Sequence, residues 1–301
     1  MNTVKASLVT CALVSLCCAI SPAMADRIVP GNFDLGRAWL EKRNLDLTDS
    51  PQEAMTDGYI LVVGQGLPMA GGTPARQRMT AIRAAEVAAY RRLAEIVDGV
   101  YVSGQTTVRE CSLESDVVKT AVSGLIKGAR KAHEEWDPVD GVAEAMYSAY
   151  INAAPGKAML RTAVYTPPVL VADATPAAAQ VIKPAAPAEV HDGLIIDARE
   201  LGFQPALINR IFSGKGEALY DPSKVSQKIL VEQGAGEYTN TIEKARAALE
   251  ARGAKTPMIV KATGLKTMAD LNVSDEDVLR IYAADQKSNF LASAKVAFVL
   301  K

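Results

Sequence analysis

The hydrophobic pattern divides the chain before its composition is considered. An unbroken apolar run, Tyr59-Ile60-Leu61-Val62-Val63, predicts a strand buried on both faces, since a half-exposed strand would alternate. A glycine-rich turn from Gly64 to Gly72 follows, and Thr73 with Pro74 supplies an N-cap and a first helical residue. Met79, Ile82, Tyr90, Leu93 and Val97 recur at helical spacing, so a long helix is predicted as far as Gly99. Its opposite flank carries Arg76, Gln77, Thr80, Arg83, Arg91 and Glu95. Val100, Val102, Thr106 and Val108 then alternate with Tyr101, Ser103, Thr107 and Arg109, which predicts a period-two strand with Cys111 at its end. A second helix is predicted from Ser112 or Ser115, with Val118, Ala121, Val122, Leu125 and Ile126 inward and Gly128 closing it. Two further strands, Ala129 to Trp136 and Val142 to Ile151, flank the Asp137-Pro138-Val139-Asp140-Gly141 turn, although the second stretch is Ala-rich enough to be helical.

The pattern lapses between Ala172 and Val190, where Pro176, Pro184 and Pro187 interrupt a run of alanines whose side chains bury little. It resumes at Gly193-Leu194-Ile195-Ile196-Asp197, a short buried-strand signal. Arg210-Ile211-Phe212 and Ala218-Leu219-Tyr220 around Gly214-Lys215-Gly216 suggest a hairpin. Asn240 is placed to cap a helix through Arg252, Met258 to Ala262 reads as a strand, Ser274 with Asp277 approximates a capping box, and Ala294 to Leu300 gives a terminal strand. The expected fold class is α/β (α+β), two small mixed domains joined by an Ala/Pro-rich linker. The expected divisions are an export signal at 1–25, an N-terminal extension at 26–57, a first domain at 58–171, the linker at 172–191 and a second domain at 192–301.

The N-terminus changes how composition is read. Lys5 precedes an uncharged run from Ala6 to Ile20, and Ala23 and Ala25 fit the positions before a signal-peptidase cut. The run falls short of the roughly 20 residues that span a bilayer, so cleavage after Ala25 and no integral span thereafter are expected. Cys11, Cys17 and Cys18 follow Thr10, Leu16 and Cys17, which disfavours lipidation at any of them. Removal of the segment takes one lysine from a balance of 33 Lys+Arg against 34 Asp+Glu and leaves Cys111 as the sole cysteine, which rules out an internal disulfide. Near-neutral charge and a 5% aromatic content argue against nucleic-acid binding.

Candidate chemistry is sparse. Gly66, Gly71, Gly72 and Thr73 follow a strand and precede a helix as a phosphate loop would, but Gly72 stands where the lysine is required. Asp270, Asn272 and Ser274 repeat like the start of a calcium loop, but Asp275 replaces its glycine and Ile281 its bidentate acid, so helix capping is the better reading. His133 and His191 lie in different predicted domains, Cys111 has no nucleophile-like context, and the acids Glu134, Glu135, Asp137 and Asp140 read as a solvated run beside a turn. No catalytic, cofactor-binding or metal-binding residue is assigned. A pocket gathering Asp197, Arg199 and Glu200 would favour a binding or enzymatic role.

The segment Arg76-Gln77-Arg78-Met79-Thr80-Ala81-Ile82-Arg83-Ala84-Ala85-Glu86-Val87-Ala88-Ala89-Tyr90-Arg91-Arg92-Leu93-Ala94-Glu95, with Gly99-Val100-Tyr101-Val102, Thr106-Thr107-Val108, Ser115-Asp116, Gly124-Leu125-Ile126-Lys127-Gly128-Ala129 and Glu135-Trp136, resembles the secreted lipoprotein-20 family. The resemblance covers roughly Tyr59 to Ile151. It implies a non-catalytic α/β module exported to the cell envelope, of a family that includes outer-membrane-associated proteins of flagellar basal-body rings. Gly193 to Arg199 and Ala294 to Leu300 are similar to bacterial periplasmic proteins. The expectation is a periplasmic or outer-membrane-associated structural or interaction protein whose partners are envelope or flagellar proteins or further copies of itself. The alternatives are a binding module for a cell-wall or small-molecule ligand and an enzyme with an unrecognised site.

Overall fold

A computed structural model describes residues 35–151, 159–165 and 190–301. The expected export signal and most of the Ala/Pro segment lie outside the described residues. The fold is α+β, with helices and four sheets interleaved along the chain.

Two short helices, α1 (Arg37–Arg43) and α2 (Pro51–Asp57), precede β1 (Tyr59–Gly66). The long helix α3 (Pro74–Asp98) begins as expected, the Thr73 side chain accepting the Arg76 N–H. β1 lies at one edge of an antiparallel sheet in the order β1-β5-β4, made with β4 (Arg130–Asp137) and β5 (Val142–Tyr150). Ile60, Val62 and Gly64 pair with Ala149, Tyr147 and Ala145 and line the face under α3. The buried seam of α3 is Ala81, Ala85, Ala89, Leu93, Ile96 and Val97; of the expected set Leu93 and Val97 belong to it, Ile82 and Tyr90 are partly buried and Met79 is exposed. The glycines explain the shift. A Cβ on Gly64 would sit 2.2 Å from the Ala85 carbonyl oxygen and the Ala89 nitrogen, and one on Gly66 would sit 2.1 Å from the Ala81 oxygen. Both glycines therefore belong to the strand and permit close helix contact, where a flexible turn was expected. On the other sheet face, the Gly36 N–H before α1 donates to Glu144, and Met146, Leu61 and Val63 are buried.

The alternating stretch after Gly99 is not one strand. β2 (Tyr101–Ser103) turns at Gly104, where φ is 56°, into β3 (Thr106–Thr107), and a helix α4 (Val108–Glu114) starts at once. Thr107 accepts the Glu110 N–H while the Glu110 carboxylate accepts the Thr107 N–H, so a capping box overrides the β-branched pattern. Cys111 accordingly lies in a helix. Ser115 caps α5 (Asp116–Lys127), whose Val118, Ala121 and Val122 are buried. The helix α6 (Met159–Val164) packs between α5 and a later helix, α7 (Gln227–Gln233).

The C-terminal half opens with β6 (Gly193–Asp197), followed by β7 (Ala206–Ile208), β8 (Arg210–Ser213) and β9 (Ala218–Tyr220). After α7 come β10 (Glu237–Thr239), α8 (Ile242–Ala251), β11 (Pro257–Lys261), β12 (Gly264–Leu265), β13 (Asp270–Val273), α9 (Asp275–Ser288) and β14 (Val296–Val299). α8 is capped by Thr241, one residue later than expected. One sheet, ordered β10-β14-β6-β11, is wholly parallel. Its Ile195, Ala297 and Val299 pack under Ala245 and Leu249 of α8. Leu194, Ile196, Val296 and Phe298 face the main core. A second sheet is ordered β12-β13-β8-β9, with β8 and β9 forming the expected hairpin.

β7 pairs in parallel with β2, Tyr101 opposite Ala206 and Ser103 opposite Ile208, so a small sheet β3-β2-β7 draws strands from both halves. One cluster of buried apolar side chains runs from Ala54 to Leu300, and residues 35–301 form one compact unit. Among the described residues no helix is long and apolar enough to cross a membrane.

Candidate functional site

The seam where the halves meet contains a small open cavity, bounded by Arg161 of α6 and Tyr165 just after it, Leu207 of β7, the Gly234-Ala235-Gly236 turn and Tyr238 of β10. Its volume is about 10 Å³, the space of about one water molecule and far below the roughly 300–1,000 Å³ of small-molecule pockets. Tyr165 donates to the Leu207 carbonyl and accepts the Ala235 N–H at 3.2 Å. Tyr220 donates to the Ala235 carbonyl, and the Tyr238 hydroxyl lies against the Ala206 carbonyl and the Asn209 amide. Burial pushes all three phenols up, which keeps them neutral hydrogen-bonding groups at ordinary pH. Burial likewise lowers the Arg161 guanidinium, and the nearby Arg252 charge adds to the effect.

The turn itself is gripped from both sides. A Cβ on Gly234, where φ is 83°, would sit 2.9 Å from an Arg161 nitrogen. Arg252 donates to the Gly234, Gln233 and Ala294 carbonyls and pairs with Glu237 at 2.6 Å. These contacts fix α7 to β10. They bring hydrogen-bond donors and a buried positive charge to the turn.

The charged residues singled out in the sequence lie elsewhere. Asp197 and Arg199 form a bidentate pair at the carboxyl end of β6, with bonds of 2.6 and 2.9 Å, and Arg199 holds the Asp197 carboxyl below its usual range. Glu200 pairs with Lys261 at 2.8 Å at the adjoining end of β11. Ligands of open parallel sheets bind at these strand ends. Here the polar groups pair with one another at the surface, and none of them lines the cavity. His133 stacks on Trp39 with ring centroids 5.3 Å apart and reaches Glu135 at 3.2 Å. His191 meets the Thr256 carbonyl. Asp137 accepts the Val139 and Asp140 N–H groups and so builds its turn.

Asp270, of the calcium-like spacing, is buried in β13. It accepts the Arg210 N–H at 2.9 Å and the Thr267 hydroxyl at 2.8 Å, and burial pushes its carboxyl up. The Arg210 guanidinium is buried against Asp221 at 3.4 Å. Ser274 caps α9 by accepting the Asp277 N–H. Glu86 was passed over in the sequence, yet it ties α3 to the sheet through Lys131 at 2.7 Å and the Tyr147 hydroxyl at 3.2 Å. Lys131 and then Arg83 hold its carboxyl low.

The matched boundary falls at β6. Residues 193–301 match the family described as Treponema pallidum Tp0624, second domain. The matched region contains the whole parallel sheet, the Arg210 network and the Gly234 turn, but neither α6 nor the antiparallel sheet. No curated protein matches the chain.

Proposed function

We propose that the chain is a non-catalytic protein of the cell envelope that acts through its surfaces, in a structural or assembly role. The carrying observation is that the charged groups of the strongest polar clusters are paired with one another, one buried Arg210 nitrogen excepted. Asp197 pairs with Arg199, Glu237 with Arg252, Asp270 with Arg210 and Thr267, and Glu86 with Lys131 and Tyr147. Catalytic sites keep such groups in a pocket with pKa values shifted toward their task. Here Asp197 and Glu86 are held low and the buried phenols high, and Asp270, the one of these carboxyls that burial pushes up, is enclosed by the Arg210 N–H and the Thr267 hydroxyl.

The export signal before Asp26 and the resemblance of residues 59–151 to the lipoprotein-20 family support a periplasmic or outer-membrane-associated location, with flagellar or outer-membrane assembly as the context. Partners are then envelope or flagellar proteins, or further copies of the chain. A second reading, a binding module for a cell-wall or small-molecule ligand, would place its ligand at the small cavity lined by Arg161. In-cell crosslinking of a tagged chain, followed by fractionation, tests the first reading. Recovery in the envelope fraction as discrete crosslinked species is expected. A free monomer, in cells whose surface structures assemble normally without the protein, would overturn it.

A further inference from the structure

We propose that the outer ridge of α3 and the loop tip beside its first turn form a docking surface for an anionic phospholipid bilayer, a partner that rests on the envelope reading above. Two features converge there. The first is charge. From Pro74 to Glu95 the helix carries Arg76, Arg78, Arg83, Arg91 and Arg92 against two carboxylates, Glu86, which pairs with Arg83 at 2.8 Å and with Lys131 of β4 at 2.7 Å, and Glu95, which pairs with Arg92 at 3.5 Å. Arg76, Arg83 and Arg91 fall at i, i+7 and i+15, on the side of the helix opposite its alanine seam, with exposed Val87 between them. The whole chain is near neutral at a net charge of -1, so this ridge is a local positive field.

The second feature is exposed apolar bulk at the same end. Met69 is 61% exposed, Met79 72% and Val139 90%. They come from three separate segments. The Met69 N–H donates to the Thr80 hydroxyl at 3.0 Å, which fixes the loop over the first turns of α3. A Cβ on Gly141 would lie 3.9 Å from the Pro68 ring, so the β4–β5 turn that bears Val139 abuts the same loop. Gly71, at a φ of 79°, has open space around it.

A convex basic ridge with projecting aliphatic side chains and no aromatic anchor suits a soft interface better than a shape-complementary protein pocket. Apolar side chains enter the headgroup boundary while arginines meet lipid phosphates. Asp140 at the tip opposes this attraction, whereas Asp137 is engaged in its turn.

Flotation of the purified protein with vesicles tests the assignment. It should float with vesicles of phosphatidylcholine and phosphatidylglycerol mixed equally, stay behind with phosphatidylcholine alone, and be released by high salt. R76E/R83E/R91E and, separately, M69D/V139D should each weaken binding about tenfold or more. K261E, on the parallel-sheet half, should bind as the parent does. Circular dichroism and thermal midpoints close to the parent's establish that the variants are folded. Absence of flotation, equal flotation with both vesicle types, or full binding by folded variants would overturn the proposal. So would capture of an acidic protein that depends on the same arginines without any vesicle binding. Envelope crosslinking reads independently, so a surface that ignores lipid leaves the assembly role standing, and a chain that binds vesicles but crosslinks to nothing does the reverse.

Discussion

Gly64 and Gly66 look in the sequence like loop residues, because a glycine pair after an apolar run usually marks a turn. Their role is visible only when Ala81, Ala85 and Ala89 of α3 are laid across them. Gly64→Ala should destabilise the protein by about 1–3 kcal/mol through forced separation of helix and sheet, read as a lower urea midpoint at unchanged slope. Tyr165→Phe removes a hydroxyl that satisfies both Leu207 and Ala235 in the interior, and should cost about 1–3 kcal/mol by the same measurement. Glu86 gives a pH signature. Its folded value lies below the ordinary 4.5, so the unfolded chain binds the proton more readily. The stability it adds is complete above that ordinary value and is lost as pH falls through the depressed folded value. Glu86→Gln should flatten the rise of stability with pH in that acidic window, and an unaltered slope would show that the Lys131 contact contributes nothing.

Elements long enough to carry their own period were legible from sequence. α3, α5 and the β4–β5 hairpin begin and end near their expected caps and turns, and α9 begins at its expected Ser274 cap. The failure after Gly99 is instructive, because both signals were present: alternation argued for a strand, and Thr107 with Glu110 argued for a helix start. The capping box satisfies backbone groups outright, whereas the strand needed a neighbour that β2 already supplied. Thr107→Ala should therefore cost about 1 kcal/mol and increase hydrogen exchange across α4. α6, β7, β10 and β12 escaped notice because segments this short hold no measurable period and exist through their tertiary partners. Of the candidate site, Arg161 and Tyr165 gave no local signal at all, since their meaning comes from the Gly234 turn some seventy residues later.

For the whole molecule, the shared core from Ala54 to Leu300 and the β2–β7 pairing predict one cooperative unfolding transition for residues 35–301. Calorimetric and van't Hoff enthalpies should agree, and two resolved transitions would show that the halves melt independently. The order of the parallel sheet adds a consequence for how the chain is made. β14 follows the other three strands of that sheet in sequence, yet it lies between β10 and β6. A polypeptide emerging N-terminus first from a ribosome or a translocation pore holds an open slot in that sheet until Val296 to Val299 clears the exit. The sheet is thus closed by the last strand delivered, and until then the nascent chain stays threadable.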